Sequence, residues 1–372
     1  MTGGWLGTNW KKRFFSLKKI VFFKKNRRAV LVAPSDPGFS WNQREGWKTA
    51  FQEANISCSL LGVGPRPARS LVDHILQSDL VVFLNDHHLE PLFSTLGDPT
   101  KRFSKNSGGL WIGVSTERVE NSPFPRSAEK TRLAASFCQF TAFFDRSAEP
   151  VIRSAGSVPF FIHQYVDHHT FRSEQPYPAK KPQVFWTGKL PAGHTEGEYC
   201  VRTRLFESLR GRKGFSWRES YQPALSIERV IKERDGYQGL LHLPSNCPGY
   251  TATFFENLAM GGCVIQYEAG PEYALPDLKT GEHYLSYDAN RPESLLETVE
   301  TFLQKPASFQ SMATEGRRLC LKNHTIHRRL EEIFLAVQGH LGTGRFPGPA
   351  SPAGQSVAGI LEKLRQNSSK HE

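Results

Sequence analysis

Residues Gly249 to Ile265 read GYTATFFENLAMGGCVI, and this stretch decides the fold. A small polar loop with Gly249, Thr251 and Thr253 leads into a short helix carrying one acid, Glu256. The helix ends at Gly261-Gly262, and Cys263-Val264-Ile265 starts a buried strand. A helix N-terminus presents free backbone N–H groups and favours an anion, and small residues let a phosphate come close. An acid about one turn further in is placed to accept hydrogen bonds from a ribose diol. The stretch therefore reads as a nucleotide diphosphate site with a sugar-hydroxyl clamp, Glu256 facing the cleft. The bland alternative is an ordinary α/β helix start with a surface glutamate.

Working outward, short apolar runs alternate with helical stretches. Ala29 to Ala33, Ser57 to Val63, Asp79 to Leu84 and Leu110 to Val114 read as strands. Helices are expected up to about Glu53, with Ser40 or Asn42 as cap, and over Leu71 to Gln77. This alternation argues for an α/β chain with parallel sheets. Ligands bind such sheets beyond the carboxyl ends of the strands. That places Ser35-Asp36-Pro37-Gly38, Asn85-Asp86-His87-His88 and Ser115-Thr116-Glu117-Arg118 at one rim. Further on, Val184 to Trp186 opens a second sheet and Gln238 to Leu243 is a later strand. Ser294 to Leu303, Pro306 to Leu321 and His324 to Ala336 have helical period.

Three motifs in order resemble the donor half of a known enzyme class. The first is Val184-Phe185-Trp186-Thr187-Gly188, followed by Arg202 or Arg204. The second is Phe255-Glu256-Asn257-Leu258-Ala259-Met260-Gly261-Gly262. The third runs from Gly316 through His324 and Thr325 to Arg328. Together they resemble the spore-maturation-protein-type glycosyltransferases of the GT-B fold, from about Val184 to about Phe334. Asp167 and Phe171, in PFFIHQYVDHHTF, resemble the D-x-x-x-F crossover of that family. The resemblance implies an α/β architecture of two facing Rossmann-like domains. It implies transfer of a sugar from a nucleotide diphosphate donor to an unidentified acceptor, with no cofactor and no bound metal. The donor-binding set it implies is Gly188, Lys189, Arg202, Arg204, Gly249, Tyr250, Thr251, Thr253 and Glu256. Tyr221 or Trp217 is available to stack the base.

The chain departs from the family at one point. Retaining relatives carry a second glutamate eight positions before the helix acid, and here that position is Pro248. Proline neither ionises nor donates, so an inverting route would need a base on the N-terminal rim. Asp36, His87, His88 and Asp145 are the carboxylates and imidazoles expected there. Each has a structural alternative, since Asp36 before Pro37-Gly38 is a natural turn residue. His87-His88 has no evident third metal ligand. The same departure supports an alternative reading, a catalytically inactive GT-B-like nucleotide- or glycan-binding protein.

The bulk composition bounds these readings. The chain has 372 residues, enough for two domains, with 38% hydrophobic residues and 26 phenylalanines. No apolar run is long enough to span a bilayer. The six cysteines are scattered without metal-ligand spacing, which reads as reduced thiols in a cytoplasmic protein. Residues 1–28 form a basic leader: Lys11, Lys12, Arg13, Lys18, Lys19, Lys24, Lys25, Arg27 and Arg28, with no acid. With aromatics interleaved, residues 11–28 suggest peripheral contact with an anionic membrane. A nucleic-acid contact and a plain solvated leader are the alternatives. The expected organisation is the leader, an N-terminal Rossmann-like acceptor domain over 29–172, and a polar hinge over Ser173 to Lys181. A nucleotide-sugar-binding domain follows over 181–338. Residues 339–372 are then a Gly/Pro-rich loop and a last helix, Ser356 to Gln366, of a kind that crosses back to the first domain in this fold.

Overall fold

The computed structural model describes residues 28–35, 43–84, 88–97, 109–116, 118–120, 126–190, 198–219, 226–245 and 249–343. The leader up to residue 27, Asp36, His87, Tyr221, Pro248 and the Ser356 to Gln366 helix lie outside these described residues. Two compact units emerge. Unit 1 holds the chain up to Ile162 and again from His327, and unit 2 holds His163 to Ile326.

Unit 1 alternates strand and helix in the expected way. Its elements are β1 (Ala29–Pro34), α1 (Arg44–Glu53), β2 (Cys58–Val63), α2 (Arg69–Leu76), β3 (Leu80–Leu84), α3 (Glu90–Leu96), β4 (Leu110–Ser115), α4 (Ser127–Ser136), β5 (Phe140–Phe143), α5 (Ala148–Ser154) and β6 (Val158–Phe161). The six strands form one parallel sheet in the order β2-β1-β3-β4-β5-β6. Every residue of β1, β3 and β4 is buried, which is why these strands read as unbroken apolar runs. On one face Val30, Val32, Val81, Phe83 and Trp111 pack against Ile75, Phe93 and Phe137 from the helices.

Unit 2 repeats the design. It contains β7 (Lys181–Gly188), α6 (Glu198–Leu209), β8 (Phe215–Glu219), α7 (Ile227–Asp235), β9 (Tyr237–His242), α8 (Ala252–Ala259), β10 (Cys263–Tyr267), β11 (Leu285–Tyr287), α9 (Pro292–Gln304) and α10 (Gln310–Asn323). Its parallel sheet has the order β11-β10-β9-β7-β8. Side chains alternate between two cores. Val184, Trp186, Leu241 and Ile265 face Leu205, Phe206 and Phe302. Phe185, Leu240 and Val264 face Phe254, Phe255 and Leu258 of α8.

The division departs from the expected domain boundaries in two places, each with a packing reason. Residues 163–172 group with unit 2, because Val166 bridges Thr325 and Phe171 is buried in the α8-side core. The final helix, α11 (Ile326–Thr343), groups with unit 1 from His327 onward. There Phe334 meets Phe51 of α1 edge-on at 6.0 Å, and His340 meets Phe140 of β5. The helix also runs through Gly339, where a loop was expected to begin.

The Ser173 to Lys181 stretch, expected as a hinge, is pinned inside unit 2. Asp235 accepts from Ser173 Oγ at 2.5 Å, from the backbone N–H of Glu174 at 2.9 Å and from Lys180 Nζ at 2.8 Å. Lys180 also donates to the Met260 carbonyl at 2.7 Å. Among the described residues no helix is long and apolar enough to cross a membrane. The five described cysteines are all free thiols.

Candidate functional site

The order of the second sheet locates the site. From β7 the chain goes out to β8 and then returns to β9 on the other side, so β7 and β9 flank the topological switch point. In open parallel sheets the ligand crevice lies beyond the carboxyl ends of those two strands. Here the ends are Gly188-Lys189 and His242-Leu243-Pro244.

Arg202 of α6 joins them. Its Nε donates to the Pro244 carbonyl and its Nη1 to the Lys189 carbonyl at 3.0 Å. The side chain is buried, so a fixed positive charge sits at the switch point. Lys189 and Arg204 are exposed cations near it in sequence. Gly188 is half-buried, and a Cβ there would come within 2.5 Å of the Trp186 indole, so packing alone demands the glycine.

The polar loop is anchored from below. Tyr267 Oη donates to the Gly249 carbonyl at 2.5 Å. A Cβ on Gly249 would meet the Tyr273 ring at 2.5 Å, so the loop and that ring are in closest approach. Tyr250 is half-buried, with its hydroxyl 2.9 Å from that of Tyr284 and its ring 4.7 Å from Phe254. Burial raises the pKa of the Tyr250 phenol. Thr253 lies half-buried in the first turn of α8.

Thr251 is the N-cap of α8, yet its side chain makes no capping bond to the helix. Its hydroxyl lies 2.9 Å from Nε2 of His242 instead. His242 Nδ1 is 2.5 Å from Gln266 Oε1, its register partner on β10. Burial pushes the His242 imidazole down to about 3, and the Arg202 and Arg234 charges push the same way. His242 and Gln266 belong to no motif in the sequence. A histidine and a glutamine inside otherwise apolar strands were the available signal, since buried polar groups need partners.

Glu256 is more buried than the sequence suggests. The sequence predicts a cleft-facing acid, and the side chain is only 5% exposed. Its Oε2 accepts from Nη1 of Arg234 on α7 at 2.7 Å, and Arg234 is itself buried. The Arg234 guanidinium lies 5.9 Å from the Phe171 ring centroid. Phe171 is delivered by a turn in which Asp167 accepts from the His169 N–H and the Thr170 hydroxyl. In the third motif His324 stacks on Phe255 at 4.9 Å and reaches Asp277 at 3.2 Å.

Of the base candidates, His88 is half-buried in the turn after β3. Asp145 is buried after β5, and its Oδ1 accepts from the Ser147 N–H and hydroxyl. The Ser147 hydroxyl in turn accepts the N–H groups of Val119 and Glu120 at 3.1 Å. This Asp145 arrangement organises a loop. Trp217, on β8, is 41% exposed and edge-on to Phe206.

Comparison with known proteins agrees with this architecture. Residues 153–334 match the family described as Glycosyl transferase-like. No curated protein matches the sequence. Among solved structures, HepE of Anabaena in complex with UDP is 10% identical with a TM-score of 0.55, over 84% of this chain and 100% of that one. Sucrose-phosphate synthase from Thermosynechococcus elongatus is 10% identical with a TM-score of 0.54, over 84% and 99%. A glycosyltransferase from Rickettsia africae is 10% identical with a TM-score of 0.52, over 84% and 99%. At that identity the likeness is one of fold. The chain thus has the α/β architecture of two Rossmann-like units found in GT-B glycosyltransferases, and residues 153–334 are similar to the glycosyl transferase-like family.

Proposed function

We propose that this protein is a glycosyltransferase that binds a nucleoside diphosphate sugar in unit 2, at the carboxyl ends of β7 and β9, and transfers the sugar to an acceptor. The observation that carries the reading is Arg202, a buried cation tying the two switch-point loops beside the uncapped start of α8. A nucleoside diphosphate leaves with developing negative charge, and fixed cations and backbone N–H groups stabilise it. Lys189 and Arg204 add exposed positive charge. Glu256, held by Arg234, is in this reading the acid for a ribose diol. HepE of Anabaena was solved with UDP and with UDP-glucose, which supports a uridine donor and a hexosyl group.

The reaction class is that of the spore-maturation-type relatives, at a cytoplasmic location, with residues 11–28 giving peripheral contact to an anionic membrane surface. Leaving-group charge is met here by side chains and backbone, without a metal in the scheme. With Pro248 in place of the second glutamate, an inverting transfer uses a base from the set Asp36, His87, His88 and Asp145.

Calorimetry and thermal shift with UDP, GDP, ADP and their glucose conjugates test the donor reading. One nucleotide at a hundred times its Kd should stabilise the chain by about 2.7 kcal/mol. Binding of none of them would overturn it. Pro248 also favours a second reading, a binding protein without turnover. Donor hydrolysis by the wild type separates the two.

A further inference from the structure

The Gln266–His242–Thr251 chain has a defined hydrogen-bond polarity. Gln266 is fully buried, and its Nε2 donates to the Tyr267 carbonyl at 2.9 Å. The reversed amide would set two acceptors against each other, so Oε1 is the end that meets His242 Nδ1. Nδ1 therefore carries the proton. The ring is neutral, since burial and the charges of Arg202 and Arg234 oppose a second proton. Nε2 is then an acceptor, and the Thr251 hydroxyl must donate to it. The only hydrogen of that hydroxyl is used. The oxygen keeps its lone pairs, because no N–H of α8 is capped by it.

A phosphate oxygen at neutral pH offers no proton to such an oxygen. A sugar hydroxyl does. A second observation points to polar ligand chemistry on the same face. Phe185 and Leu240 share the α8 side of the sheet, so Thr187 and His242, two residues further along each strand, do as well. Thr187 is 7% exposed, and its hydroxyl has no hydrogen-bond partner among the described residues.

We infer that Gln266 and His242 are positioning residues that hold Thr251 as an acceptor-only contact for a hydroxyl of the transferred sugar, leaving the diphosphate to the backbone N–H groups of α8 and to Arg202. The inference rests on the donor-site reading above and adds the polarity of one contact.

Calorimetry on the full chain tests it, with UDP, UDP-glucose and the monodeoxyfluoro analogues of UDP-glucose as probes. Fluorine occupies the place of a hydroxyl and cannot donate. Thr251→Val should leave the UDP Kd within about twofold and weaken UDP-glucose about 3- to 10-fold, the range of one hydrogen bond. One fluoro analogue should lose the same factor on the wild type and nothing on Thr251→Val, the signature of a coupled pair. Thr251→Ser, which keeps the hydroxyl, should behave as the wild type. Gln266→Met, which removes the acceptor for Nδ1–H, should narrow the ratio of the UDP and UDP-glucose Kd values, a readout that general destabilisation does not move. Equal weakening of UDP and UDP-glucose by Thr251→Val, or no change in either, overturns the inference while the donor site stands. Absence of a Thr251-dependent fluoro analogue does the same. Failure of the wild type to bind either probe overturns the donor-site reading and this inference with it.

Discussion

Arg234 Nη1 donates to Glu256 Oε2 across 2.7 Å with both side chains buried, so the acid of α8 is a paired charge in the interior of unit 2. Removing Glu256 leaves the Arg234 guanidinium buried without its carboxylate, which costs about 3–5 kcal/mol. Glu256→Ala should therefore lower folding stability by that order, measured by denaturant unfolding. A matched Glu256→Leu/Arg234→Met pair should be far milder. If Glu256 also holds the ribose, nucleotide affinity in folded Glu256→Gln should fall by about 1.5–3 kcal/mol in calorimetry. Unchanged affinity would remove it from the donor site.

Arg202 is predicted to matter for binding as well as for folding. It donates to backbone carbonyls of the β7 and β9 loops. Arg202→Met should cost about 1–3 kcal/mol of stability, because the carbonyls lose a charged donor. Nucleotide Kd should rise at least about tenfold, since 1.4 kcal/mol is one decade. A Kd ratio near one would show that Arg202 is only a loop tie.

Asp277 makes stability depend on acid. Burial pushes its carboxyl up, but the hydrogen bond and charge of His324 and the Asn323 amide outweigh that and hold it well below the ordinary value. A depressed folded pKa means that the contribution is complete above the unfolded value of about 4 and is lost as pH falls toward the folded one. Denaturant midpoints between pH 7 and pH 3 should drop less in Asp277→Asn than in the wild type. Parallel curves would refute the assignment.

The base candidates should separate by phenotype. Asp145→Ala should cost about 1 kcal/mol or more of stability, because its carboxylate organises Ser147 and the loop at Val119 and Glu120. Asp36→Ala is the preferred base variant, with turnover down roughly 10²–10⁴ and nucleotide binding intact. His87→Ala and His88→Ala complete the set. Near-normal turnover in all four would favour a retaining route in which the leaving phosphate assists the acceptor.

The leader is tested by truncation. Deleting residues 1–27 spares Arg28, whose N–H donates to Asp79 at 2.9 Å. Binding to vesicles of anionic lipid should disappear, while donor hydrolysis persists. Binding of the full chain should also fall steeply with salt, because exposed charges are screened beyond about 8–10 Å at physiological ionic strength. Equal vesicle binding by both proteins ends the idea.

Much of the architecture is written locally in the chain. AVLVA, DLVVFL and LWIGV are legible as strands because both faces of a central parallel strand are buried, so the run needs no polar break. The loop, helix and strand of Gly249 to Ile265 follow from small residues, one amphipathic turn and a glycine end. Edge strands were harder: FSWRE of β8 is half-buried and mixed, and LSY of β11 has only three residues. What no local pattern carries is pairing. Glu256 and Arg234 are 22 residues apart, and His242 and Gln266 are 24 apart. Whether an acid on a helix faces a cleft or a buried guanidinium depends on which strand its helix covers, and strand order decides that. The polarity of the Thr251 hydroxyl is decided the same way. It follows from an amide on the next strand, β10, which lies beside β9 in the sheet, where low dielectric makes an unpartnered polar group costly and each bond dictates the direction of the next.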